Sequence, residues 1–185
     1  RTVWQLRLPG VVAGPPSFVD GWLMVPVERH GKIALEGIDV EAIHPQVNWS
    51  LELSSAGLYQ TTPVVQATID GRRHGLVRTD RAETTCFRLI DGEVRWQIMP
   101  ANELLLLYGN LPLIPVGDAV LSINETIDLR ALDNGELLHS FFPVDAPEYV
   151  LAAGSLRIIL GEQSSHVEDD DTVTALSLGH YLALV

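Results

Sequence analysis

The sequence predicts an all-β protein: a β-propeller of four-stranded antiparallel blades, about four of them in the chain, forming a partial or oligomer-completed ring. Three observations predict it. An aromatic or imidazole ring recurs at Trp4, Trp49, Trp96, His139 and Tyr181, at spacings of 45, 47, 43 and 42 residues. Between these rings run short stretches rich in Val, Ile and Leu, punctuated by turn signals such as Asp20-Gly21, Asp70-Gly71, Asp91-Gly92 and Gly117-Asp118, which read as hairpins. The period also agrees with the roughly 40 to 45 residues of a four-stranded propeller blade, whereas short strands without a long period would suggest a sandwich or barrel.

The elements follow in order. Residues 3–8 read as the outer strand of a blade whose first three strands are missing. Blade one spans about 14–53, with strands at 16–19 and 22–25 around Asp20-Gly21, a rim loop at 28–39 and an outer strand at 47–53. Blade two spans about 63–99, with strands at 64–69, 74–78, 84–90 and 93–99. The third copy, about 112–142, is the clearest: 113–116, Gly117-Asp118, 119–123, 127–132, Asp133-Asn134-Gly135, then 137–142. Blade four spans about 148–185 and opens with 149–151 and 156–160 around Ala153-Gly154. The stretch from Pro100 to Tyr108 fits one or two helical turns or an added strand, and its type stays open.

Composition narrows the function classes. Apolar residues make up 46% of the 185 residues and charged residues 19%, which is globular usage and argues against disorder. The formal charge of −12 repels a nucleic-acid backbone unless basic residues cluster, and none do, so no nucleic acid is expected. No apolar run reaches the ~18 residues that span a bilayer, so no membrane insertion is expected. Cys86, the single cysteine, allows no intrachain disulfide and no multi-thiolate metal site; buried among Thr84, Thr85 and Phe87, it is expected to be structural. The start at Arg1, without Met or a leader, suggests a processed product or a piece of a longer chain.

The repeat resembles a known family. Residues 131–139, Ala-Leu-Asp-Asn-Gly-Glu-Leu-Leu-His, resemble the Ala-x-Asp-x-x-x-Gly-x-x-x-Trp signature of PQQ-like (quinoprotein alcohol dehydrogenase-like, WD40-like) propeller repeats, one residue shorter and with His139 in place of Trp. Residues 87–96, ending at Trp96, look like a more degenerate copy, and Pro63-Val64-Val65 and residues 16–21 resemble the blade-opening stretch. The resemblance implies blades that open at the inner strand and end on a ring-bearing outer strand packed between neighbours. It also implies rings of seven or eight blades, so the missing blades would come from a parent chain or from a second copy in a homodimer. Enzymes in that family use a calcium held by Glu and Asn, a catalytic Asp and often a Cys-Cys pair. With one cysteine and half a ring, no catalytic residue, cofactor or metal is expected here.

The sequence therefore reads as a non-catalytic interaction scaffold, a segment or subunit of a larger assembly that binds a protein partner. The alternatives are a sensor or small-ligand-binding propeller attached to a signalling enzyme, and part of a quinone-dependent dehydrogenase. Partner contacts are expected in loops at 28–39, 54–62, 79–84, 100–112, 124–126 and 161–172. Within them three features are singled out: the apolar run Leu104, Leu105, Leu106, Leu107 and Tyr108; the acidic run Glu168, Asp169, Asp170 and Asp171; and Arg29 with His30. Clustered apolar side chains on a rim mark contact sites or bury over the ring's own core, and the acidic run offers a contact to a basic partner or a solvated loop. His30, His74, His166 and His180 do not share a spacing that converges on a metal. Asn48-Trp49-Ser50 and Asn124-Glu125-Thr126 match the glycosylation pattern, but Asn48 falls inside a strand.

Overall fold

Two-residue turns set the strand order. In the computed structural model Asp20 (φ 51°) and Gly21 (φ 80°), His30 (53°) and Gly31 (77°), and Asp70 (51°) and Gly71 (70°) all sit in the left-handed region at both central positions. That is the type I′ geometry whose twist matches two antiparallel strands. The structure describes residues 5–53, 61–79, 83–99, 113–123, 127–141, 147–153 and 156–161.

Every strand pair among these residues is antiparallel. The first sheet holds β1 (Val11–Val12), β2 (Ser17–Val19), β3 (Trp22–Arg29), β4 (Lys32–Asp39) and β5 (Val47–Leu53). β1 and β2 both pair with β3, at its far and near ends, so together they make one interrupted inner strand. The interruption falls at Gly14-Pro15-Pro16, where proline supplies no ladder donor. The second sheet is a meander of β6 (Val65–Ile69), β7 (Arg72–Arg78), β8 (Thr84–Arg88) and β9 (Val94–Ile98). The third repeats it with β10 (Ile114–Val116), β11 (Ala119–Ile123), β12 (Ile127–Ala131) and β13 (Leu137–Phe141), and β14 (Pro147–Ala153) pairs with β15 (Leu156–Gly161). These are propeller blades, and the inner strands β6 and β10 lie side by side.

Two expectations change. Residues 28–39 are not a rim loop but the tip and second arm of the β3–β4 hairpin, paired continuously from Trp22↔Asp39 to Arg29↔Lys32. His-Gly supplies the turn that Asp-Gly supplies elsewhere, and the run Ile33-Ala34-Leu35 is buried strand. Residues 5–8, expected within an outer strand, form none; Leu6 and Leu8 instead pack against Val25, Val27 and Ile38 of the first sheet. Trp4, Tyr181 and residues 100–112 lie outside the described residues.

Successive blades are joined through their faces. One cluster unites Met24, Leu35, Trp49 and Leu51 of the first sheet with Val64, Val77, Phe87 and Leu89 of the second. The next unites Ala67, Leu76, Cys86 and Trp96 with Leu113, Val120 and Leu132 of the third. The tryptophans are the hinge of each join. Trp49 Nε1 donates to Leu89 O at 2.9 Å, and Trp96 Nε1 donates to Leu132 O at 2.8 Å, the same bond moved on by one blade. Each ring lies on the glycine three residues beyond that carbonyl. A Cβ on Gly92 would stand 2.7 Å from Trp49 Cε3, and one on Gly135 would stand 3.0 Å from Trp96 Cδ2. Both glycines have positive φ, 72° and 75°, a conformation open to glycine at little cost.

A β-bulge aims these rings. The register of the outer strand slips at Gly37/Ile38, Cys86/Phe87 and Leu129/Arg130. The residues left over are Asn48, Arg95 and Leu138, each just before the repeat position at Trp49, Trp96 and His139. An extra residue bends its strand and increases the local twist, so one irregularity recurring in three blades orients one recurring side chain.

Candidate functional site

The antiparallel order sends two sets of connections to opposite ends of the blades. The connections joining first to second and third to fourth strands lie at one end. The described roots of the links between second and third strands and between successive blades lie at the other. Leu104 to Tyr108 and Glu168 to Asp171 lie outside the described residues, so the geometry below is that of the loop roots.

Beneath the roots is a buried polar platform that the sequence reading missed. Arg78, at the end of β7, has no exposed surface, and around it Thr61, Thr62, Thr79, Glu83, Thr84 and Thr85 are also buried. The backbone stitches this layer together. Thr62 N donates to Arg78 O at 2.8 Å, Arg78 N donates to Thr62 Oγ1 at 3.1 Å, and Thr79 N donates to Glu83 O at 2.9 Å. Burial pulls the Arg78 guanidinium down to about 10, while the Asp128 carboxylate of the third blade works against that fall. It stays charged at neutral pH, and a buried cation is tolerated only where an anion compensates its lost hydration. Asp128 is held in turn by Ser140 Oγ, which donates at 2.7 Å, and by Arg130 Nη2 at 3.2 Å. Glu83 accepts from Gln97 Nε2 on the outer strand. Arg78 on the second blade is thus attracted to Asp128 on the third, in the layer from which the links at 54–60 and 80–82 leave. The signal was present as charged residues inside apolar strands, but a single sequence does not tell a buried charge from a surface one.

Arg29 and His30 sit at the same end, on the β3–β4 tip. Arg29 Nη2 donates to Ser50 Oγ at 2.7 Å and Nη1 lies 3.6 Å from the buried Glu36 carboxylate, to which Ser50 Oγ donates at 3.1 Å. His30 is exposed. With Lys32, Ala34 and Glu52 they line a cleft of about 280 Å³, and Lys32 pairs with Glu52 across it. The other residues of interest separate. His74 is buried and its Nδ1 donates to Arg72 O at 3.0 Å, a satisfied interior histidine. Cys86 is fully buried, with its thiol pushed up to about 12 by burial, which leaves no thiolate at neutral pH. Trp49 and Trp96 are structural, as described above. His139 takes the repeat position on β13 but is exposed.

No protein-family model matches the chain, and no curated protein matches it. Among solved structures it is similar to BamB from Moraxella catarrhalis, with 16% sequence identity and a TM-score of 0.60 over 85% of this chain. The chain spans about half, 49%, of the length of that protein. The likeness is one of fold, and it agrees with the blades built above: the chain is an all-β, β-propeller structure.

Proposed function

We propose that the chain is a non-catalytic propeller scaffold of a protein assembly, which binds a protein partner through the loops at 54–62, 79–84, 100–112, 124–126 and 161–172. The observation that carries the reading is the platform under Arg78. Burying a charge is costly, and the hydrogen-bonded layer around it ties together the roots of the links at 54–60 and 80–82, as multi-loop binding requires. The blade architecture shared with BamB supports the same reading, and the degenerate repeats fit PQQ-like propellers. Leu104 to Tyr108 would supply apolar contacts, and Glu168 to Asp171 a charged contact to a basic partner.

The test uses the full chain as bait, beside a variant with Leu104 to Leu107 changed to Ser. One partner recovered in constant ratio and lost in the variant is the expected result. No partner, or one indifferent to the variant, sinks the assignment to these loops.

Completion of the ring belongs to the same reading. Blades stack face on face, so an open array leaves unsatisfied ends, and a second copy or blades of a longer parent chain would close it. Light scattering across a concentration series decides between them: twice 20.3 kDa is expected of a two-chain ring, and a single-chain mass at every concentration rules it out.

A further inference from the structure

At the end of the blades opposite the loops, the first two blades leave a cleft of about 830 Å³ between them. Trp22 and Leu89 line its apolar part, Ile90 stands at its edge, and its charged lining sets Arg72, Arg73 and Arg88 beside Asp20 and Asp39. The equivalent space between the second and third blades is bridged. There the bulge residue Arg95 reaches across, Nε donating to Asp133 O at 2.6 Å and Nη2 to Asp70 at 3.2 Å. In the first space the bulge residue is Asn48, which turns back to its own sheet, Oδ1 accepting from Asp39 N at 3.2 Å. The bulge residue therefore does not cross this cleft, whose two blades are tied instead by the Arg73–Asp20 pair at its side.

Its charges are unequally engaged. Arg73 pairs with Asp20, and Arg88 with Asp91 and Glu93. The exposed Arg72 side chain has no hydrogen bond or ion pair among the described residues. Beside it Ile90 is 66% exposed, and Trp22 is only half-buried. An available guanidinium next to exposed apolar surface suits a ligand that joins a carboxylate to an apolar group.

We propose that this cleft seats an extended segment of a partner protein in which an Asp or Glu adjoins a large apolar side chain. The apolar side chain covers Trp22 and Ile90, and the carboxylate takes the planar fork of Arg72. A small ligand would need a cavity that encloses most of its surface, and this one is open to solvent. The inference rests on the protein-binding reading and adds a second contact, remote from the loops.

A displayed library of random peptides, selected on the intact chain, tests it. The expected outcome is enrichment of sequences with Asp or Glu beside Leu, Ile, Phe or Trp. The affinity of the leading peptide should fall roughly 10- to 100-fold in Arg72→Glu, the worth of one charge-assisted contact, and less in Arg72→Lys. Arg72 is exposed, so the variants keep the fold, which thermal melting verifies. Enrichment of basic or uncharged peptides, an empty selection, or affinity unchanged in Arg72→Glu overturns the cleft. Peptides that bind but ignore Arg72→Glu leave the scaffold reading standing, because that reading fails only in the partner recovery described above.

Discussion

Gly92 and Gly117 share a positive φ, 72° and 57°, yet only Gly92 has a neighbour where a side chain would go. A Cβ there meets Trp49 at 2.7 Å, whereas one on Gly117 meets nothing within 4 Å. Gly117→Ala should therefore cost only the left-handed backbone, about 1 kcal/mol, and Gly92→Ala about 2 to 3 kcal/mol once the tryptophan must move. Equal losses in urea unfolding would mean that the Trp49–Gly92 contact is incidental. Cys86 gives a pH-dependent test of burial. Its thiol is raised from 9.0 to about 12, so the folded state holds the proton while the unfolded state releases it. The associated stability is full below about pH 9 and is lost as pH rises toward 12. In the native chain the thiol should resist a disulfide reagent at pH 8 and react once urea unfolds it. Rapid native reaction would contradict the burial.

At the scale of strands, the recurring bulge and the polar platform decide how blades meet. Arg78 gives the sharpest test, because β7 and the third blade both depend on it. Arg78→Ala removes a buried cation facing Asp128 and leaves a cavity, with an expected loss of about 3 to 5 kcal/mol. Arg78→Met fills the volume without the charge, and it should recover part of that loss while Asp128 keeps Arg130 and Ser140 but loses the attraction of Arg78. Full recovery in Met would show that volume alone matters. These elements were legible in the sequence to different degrees. Asp-Gly turns and alternating Val and Ile made the hairpins around 20–21 and 70–71 readable, and the third blade came out nearly residue for residue. The β3–β4 hairpin did not, because its turn is His30-Gly31 and its tip carries Glu28, Arg29 and Lys32, which read as a loop. The bulges were invisible, since one extra residue per strand does not change composition. The ring positions at Trp49 and Trp96 were found through their period. Arg78 and Asp128 were missed because their meaning lies in an attraction across blades, Glu83 because its burial does not show in the sequence, and the cleft beside Arg72 because two blades supply its lining.

For the whole molecule, each blade must cover both faces. The face of the first sheet bearing Trp49 packs on the second blade, and the other bears Val25, Val27 and Ile38, which are 4%, 0% and 1% exposed. Leu6 and Leu8 lie against that second face, with Gln5 and Arg7 turned outward, so residues 5–8 stand where a neighbouring blade would pack. If this arm is the cover, Leu6→Ala with Leu8→Ala should lower stability by about 2 to 4 kcal/mol, since both leucines are partly buried and full burial would cost more. The variant should also bind an apolar dye that the parent ignores, as Val25, Val27 and Ile38 come into reach of water. Val11→Ala serves as the control: Val11 follows the arm, in β1, but is 70% exposed, and its loss should change little. A double variant as stable and as dye-silent as the parent would mean that another blade covers the face. The arm would then be incidental, and ring completion would have to come from a second copy or a parent chain.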